Sequence, residues 1–366
     1  MVKVTEVLEF LEEHMDVGHI EKVKADIKKT LKFEQNTKIP LRIDFPIEIF
    51  KGYPYEETYL DMEKMMVYEL LPACNAVQIK DHTVPMIRAN YGVGTLASLF
   101  GLNCRIVNGN LPWVDHVENT DEIKKIISNG VPELRAGLGA RVFDTQVYYN
   151  EQLSHYPKCQ KYIPVYHPDL QGPFDIAHLI WGPDIYYALY DDPEIVHELL
   201  GLVTDTYIKF IKELKKTIND EEDGYNFHWG TLYAGRIVLR DDSPVNLSRE
   251  MYEEFVKPYD ERILKEFGSG SIHYCGRADQ WVFEMMESEG LEAMNFGQPP
   301  KLVFGFEFLA KIYPRMKQKN IANAGYFIDN KLLAEIKNSD YTTGVTYLTH
   351  AENREEALEL LALFEW

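Results

Sequence analysis

The sequence predicts a (β/α)8 TIM barrel with an N-terminal helical extension and a long insertion between early strands. Three observations point there. Short apolar strands alternate with amphipathic helices from Gln171 onward, which argues for a parallel sheet. The length of 366 residues is long for an ordinary domain, but one barrel, residues 1–366, absorbs it. No G-x-G-x-x-G follows a strand and opens a helix, which weakens the case for an open dinucleotide-binding sheet.

The elements follow in order. Residues 2–34 read as helical, with Val4, Val7, Leu8 and Leu11 on one side, and residues 1–37 form the N-terminal extension. In KIPLRIDFPIEIF, Leu41, Ile43 and Phe45 alternate with Arg42 and Asp44, a strand bounded by prolines. A helix is expected near Asp61 to Leu71, and NAVQIKD, Asn75 to Asp81, reads as a second strand. Residues 85–160 show no clear unit and are assigned to insertion or loops around a helix near Thr120 to Ser128. Asp192 and Pro193 then open a long helix whose buried face runs from Val196 to Leu214. YNFHWG is a short strand. Ser248 caps the next helix, which Pro258 should kink or divide. SIHYC, AMNFG, NIANAGYF and TGVTYL are short buried strands, with ADQWVFEMMESEG helical after the first and ENREEALELLALF closing the chain as a helix.

Composition narrows the function. Hydrophobic residues make up 45% and charged residues 26%, with no sign of disorder. A formal net charge of −20 argues against a nucleic-acid partner, which needs a basic footprint. Four cysteines, Cys74, Cys104, Cys159 and Cys275, are too sparse for a disulfide framework and suit a reducing compartment. The acidic amphipathic start is unlike a signal peptide, and no uncharged apolar run approaches the ~18 residues of a membrane span. A cytoplasmic protein is expected, with no membrane partner.

The chemistry gathers at GSGSIHYCGRAD. Residues two apart on a strand point the same way, so His273 and Cys275 share a face, and Gly276 lets the chain turn. At the C-terminal end of a barrel strand they would stand at the mouth, where imidazole and thiolate together suit zinc. The alternative is a packed histidine beside a buried cysteine. Other polar residues sit near strand ends. His228 and Trp229 close YNFHWG. Asp241 and Asp242 follow, to orient a substrate or a zinc ligand, or to serve as a turn cap. Asn295 lies in AMNFG. Asn90 and Tyr91 line a pocket, or their neighbouring glycines allow a turn. Arg277 pairs with a substrate carboxylate or caps a helix.

Three segments, QGPFDIAHLIWG with YDDPEIVHELL, LRDDSPVNLSREMYEEFVKPY, and SIHYCGRADQWVFEMMESEGLEAMNFGQP, resemble the uroporphyrinogen decarboxylase superfamily, over most of residues 165–366. That family includes cobalamin-dependent methyltransferases acting on thiols. The resemblance implies a (β/α)8 barrel with its site at the mouth. The decarboxylase branch carries an R-Q-A-G-R segment near its first strand; only Arg42 stands there in this chain. The methyltransferase branch carries H-x-C, matched by His273 and Cys275, and a second cysteine near the last strand, which this chain lacks. His350 and, next, Glu352 are the nearest replacements, and His350 would complete a His2Cys set with an open position; the alternative places it in solvent. The resemblance thus implies a zinc-dependent methyltransferase. Of the polar residues near predicted strand ends, Asp241, Asp242, His228 and Asn295 are taken as its catalytic candidates, and Asn90, Tyr91, Trp229 and Arg277 as its substrate contacts. The corrinoid (methylcobalamin) would ride on a small partner protein, since no D-x-H-x-x-G vitamin-loading motif is present. A metal-free lyase for a tetrapyrrole or other carboxylated substrate, or a non-catalytic barrel binding protein, are the alternatives.

Overall fold

The computed structural model of the chain describes residues 1–35, 38–106, 112–117, 119–298 and 303–363. Two N-terminal helices, Val4–His14 and Val17–Leu31, match the predicted extension. Val4, Val7, Leu8 and Leu11 are buried as their spacing requires, and Asp16 caps the second helix by accepting from the His19 amide. Strand β1, Leu41–Asp44, follows. The expected strand at Asn75–Asp81 is absent. Those residues continue a single helix, Met62–Ile79, past Pro72 to a left-handed cap at Lys80. Its buried face (Leu70, Leu71, Ala73, Cys74, Ala76 and Ile79) mimics alternation over a short window, and packing decides in favour of helix.

The second strand is instead β2, Ile87–Arg88, and the third is β3, Val165–Tyr166; the two pair in parallel. Between them, the described part of residues 85–160 holds a small ribbon and four helices, among them Thr120–Asn129 and Gly139–Ser154. YNFHWG is one arm of an antiparallel hairpin, β4 (Tyr225–His228) and β5 (Thr231–Ala234). Then come β6 (Val238–Arg240), β7 (Gly270–Cys275), β8 (Leu291–Gly297), β9 (Ala322–Phe327) and β10 (Val345–His350). Pro258 divides its helix as expected, into Arg249–Phe255 and Lys257–Phe267. After β7, the stretch expected to be one helix is mostly turns around Val282–Met285.

The fold is mixed α/β. A six-stranded parallel sheet runs β1-β10-β9-β8-β7-β6. The β2–β3 pair stands beside it, and among the described residues no ladder joins the two into a closed ring. Single backbone bonds approach the gaps: His82 N to Leu41 O at 3.0 Å, and Gly172 N to Arg240 O at 2.7 Å. No helix among the described residues is long and apolar enough to cross a membrane.

The two faces of the sheet differ in side-chain size. Ile272, Tyr274, Met294 and Phe296 belong to the main core with the outer helices. Ala293, Ala322 and Ala324 belong to a second cluster, with Leu232 and Tyr233 of the hairpin. Small residues on the inner face leave the volume that the hairpin fills. The hairpin starts beside Gly270, where a Cβ on Gly235 would lie 2.4 Å from the Gly270 Cα, and ends at its turn beside His273. That turn is Trp229–Gly230, with φ of 44° and 74°. Positive φ at both central residues is the two-residue turn whose twist suits a hairpin, and tryptophan there is unusual.

Candidate metal centre and adjoining cleft

The centre grows from the register of neighbouring strands. In β7, alternation puts Ser271, His273 and Cys275 on the inner face; the Ser271 hydroxyl donates to Ala234 O of the hairpin. In β8, Asn295 lies opposite His273 and Gly297 opposite Cys275. β6 ends at Arg240, opposite His273, and Asp242 follows. Parallel strands all end on one side, so Asp242, His273 and Cys275 converge at one rim.

Their potential ligand atoms, one each, all lie within 4.8 Å of one another. Cys275 Sγ is 3.6 Å from His273 Nε2, and Asp242 Oδ1 is 3.6 Å from the same nitrogen. Tetrahedral zinc with ordinary bond lengths separates a sulfur from a nitrogen by about 3.6 Å and a nitrogen from an oxygen by about 3.4 Å. The donor set, one thiol, one imidazole and one carboxylate, fits a divalent borderline metal and leaves a fourth position open.

The surroundings fix each donor. His273 Nδ1 is 2.5 Å from Asn295 Oδ1. The Asn295 amide nitrogen donates to Ala324 O at 2.5 Å, so the asparagine oxygen is the acceptor and the imidazole proton sits on Nδ1. Nε2 is left with its lone pair toward the cluster. Burial first, then the Arg240 charge, lowers His273 to about 4, so the ring is neutral. Asp242 Oδ1 accepts from Cys275 N at 2.9 Å, and Oδ2 from Gln171 Nε2 at 3.2 Å. Burial would raise its carboxyl, but His273 and Arg240 outweigh that and hold it below the usual range. Cys275 is exposed as a residue, yet its sulfur is crowded: a Cβ on Gly297 would come within 2.4 Å of it. Desolvation, and then the Asp242 charge, push the thiol up to about 12. An anion beside a thiol held protonated is an arrangement that a cation would reverse.

Next to the centre lies a cleft of about 360 Å³. Phe45, Tyr68, Met86, Tyr166 and Trp229 give it aromatic and apolar walls, and Arg42, Glu69 and Arg88 add charge. Trp229 belongs to both places, because its ring also meets His273 edge-on at 4.7 Å.

The other predicted residues spread more widely. His350, at the exposed end of β10, stands beside Asp44 in register and against the Phe327 ring, 5.0 Å away. It is not among the converging donors; β8 and β9 lie between its strand and β7, and Asp242 completes the group instead. Glu352 is exposed, its amide donating to Glu356. Asp241 turns away from Asp242 and is fully buried; burial and Asp260 push its carboxyl well above the usual range. His228 is buried, its ring stacked 4.8 Å from His167. Asn90 donates to Glu69 of the cleft wall at 2.8 Å, and Tyr91 bonds Thr145 at 2.7 Å inside the helical layer. Arg277 pairs with Asp279 at 2.9 Å and lies over the Phe308 ring.

Two acidic residues were given no role by sequence reasoning, Asp175 inside the QGPFDIAHLIWG segment and Asp169 just before it. Asp175 accepts from the amides of Asp242 and Ser243 at 2.7 and 2.6 Å, fixing the loop that carries the ligand. Asp169, three residues past β3, forms ion pairs with Arg88 and Arg240 and accepts from the Trp229 indole nitrogen. The signal for Asp169 would be a charged residue just past a strand end, but the two-residue strand Val165–Tyr166 is too short to read from the sequence.

No protein-family model and no curated protein matches the sequence. Among solved structures, the chain is similar to a methyltransferase from Methanosarcina mazei. The TM-score is 0.64 at 16% identity, over 94% of this chain and 98% of that one. At that identity the likeness is one of fold.

Proposed function

We propose that the chain is a zinc-dependent methyltransferase built on a (β/α)8 barrel. It moves a methyl group between a corrinoid carried by a small partner protein and a small thiol or other methyl donor or acceptor. The convergence of Asp242, His273 and Cys275 beside an aromatic cleft carries this reading. The fold shared with a protein named as a methyltransferase supports it. Four free cysteines suit the reducing cytoplasm.

Bound zinc would supply a deprotonated, nucleophilic thiol or Lewis acidity toward a methyl donor's heteroatom. The protein's own residues do the rest. Asn295 keeps the His273 proton on Nδ1 and the lone pair on Nε2. Gln171 and the Cys275 amide orient Asp242. The cleft takes the small molecule, and Trp229 forms the wall it shares with the centre. A metal-free lyase acting on a polycarboxylate has less support, because the cations near the cleft already have partners. Arg42 holds Asp44; Arg88 lies beside Glu69 and Asp169; Arg240 holds Asp169.

The test is elemental analysis of protein prepared with zinc, together with the absorbance of methylcobalamin incubated with thiols. About one zinc per chain is expected, lost in His273→Ala and Cys275→Ser, with zinc-dependent demethylation of the corrinoid. Zinc-replete protein without metal, and unchanged corrinoid spectra, would overturn the reading.

A further inference from the structure

Asp169 is the point where the cleft and the centre meet. Its carboxylate pairs with Arg88, which lines the cleft, and with Arg240 Nη1 at 2.8 Å. It also accepts from the Trp229 indole nitrogen at 3.1 Å. Each partner leads onward. Arg240 Nη2 lies 3.6 Å from Asp242 Oδ2, and the guanidinium sits over the Trp229 ring at 4.9 Å. The Trp229 ring packs on His273. One largely buried carboxylate therefore neutralises two guanidiniums buried to a similar degree and fixes an indole whose backbone is already in the left-handed region. Removing its charge leaves Arg88 with Glu69 alone and releases Arg240, for which Asp242 is the anion within reach.

We propose that Asp169 is a positioning residue that holds Trp229 and Arg240 in fixed relation to Asp242 and His273, so that loading the centre is felt at the cleft wall. The proposal deepens the metal-centre reading and rests on it. In the intact protein, Asp169 holds Arg240 Nη1, so Arg240 reaches Asp242 only through Nη2, 3.6 Å from Oδ2, and Oδ1 keeps its place beside His273. With Asp169→Asn, Arg240 turns to Asp242 and competes with the metal for it. The indole bond survives, since the asparagine oxygen still accepts.

The test compares the wild-type protein, Asp169→Asn and Asp169→Glu by competition for zinc against a chromophoric chelator. Tryptophan emission is followed in the same titration, with Trp229→Phe identifying the Trp229 share. Expected are a zinc affinity about tenfold weaker in Asp169→Asn, partial recovery in Asp169→Glu, and a zinc-induced change in Trp229 emission that Asp169→Asn loses. Circular dichroism checks that the variants fold. If Asp169→Asn does not fold, Asp169→Asn combined with Arg88→Met and Glu69→Gln, which removes the buried pair that remains, is read instead. Unaltered zinc affinity and an unaltered Trp229 response in a folded variant would overturn the proposal. Absence of zinc binding in the wild type would sink the metal reading itself; the hub would then be judged by acrylamide quenching of Trp229, which should rise in Asp169→Ala, where the indole loses its acceptor, and an unchanged quenching would refute it.

Discussion

Asn295 Oδ1 and His273 Nδ1 stand 2.5 Å apart on adjacent parallel strands, and this pair sets which imidazole nitrogen faces the centre. Because the Asn295 amide is committed to Ala324 O, the bond has one polarity. Asn295→Ala frees the ring to rotate and to change tautomer. Zinc affinity should fall by roughly 10- to 100-fold, read by chelator competition, while Asn295→Asp retains an acceptor and much of the affinity.

Gly297 makes room for sulfur. A methyl group there would collide with Cys275 Sγ at 2.4 Å and approach the His273 ring at 3.2 Å. Gly297→Ala should therefore displace the thiol and lower metal occupancy, as elemental analysis would read it. The main core on the opposite face of β8 is untouched, so the melting temperature should move little.

Proton release gives a signed pH dependence. In the metal-free centre His273 is neutral above its value of about 4, and Cys275 stays a thiol up to about 12. Metal binding through the thiolate releases one proton between those limits. Apparent zinc affinity should rise about tenfold per pH unit across neutral pH, with one proton released by calorimetry in buffers of different ionisation enthalpy. In Cys275→Ser that slope should flatten.

The inner face of the sheet tolerates little added bulk. Ala293→Leu or Ala322→Leu would press on Leu232 and Tyr233 of the hairpin. Overpacking of this kind costs about 1–3 kcal/mol, measurable by urea denaturation.

Much of this was legible in the chain. H-x-C on a short apolar run placed His273 and Cys275 on one face, because strand geometry depends only on local spacing. Asp242 was visible as a polar residue past a strand, but its choice over His350 required the strand order, which puts β6 next to β7 and β10 three positions away. Residues 75–81 misled because Val77 and Ile79 alternate within a window too short to separate the two periods. YNFHWG reads as a strand of the parallel sheet, but only Tyr225–His228 is strand and it pairs antiparallel in a hairpin; the partner across Trp229–Gly230 was hidden because tryptophan does not announce a left-handed turn residue.

The hairpin's position bears on how the chain reaches this state. β4 and β5 lie between β3 and β6 in sequence, yet Leu232 and Tyr233 rest against Ala322 and Ala324 from near the other end of the chain. Closing so long a loop delays such contacts relative to local helices. Trp229 rides at the hairpin tip, so the His273 side of the rim gains its neighbour only when that docking is done. During refolding, helical signal should precede the capacity to hold metal, and the lag between the two would time the hairpin's arrival.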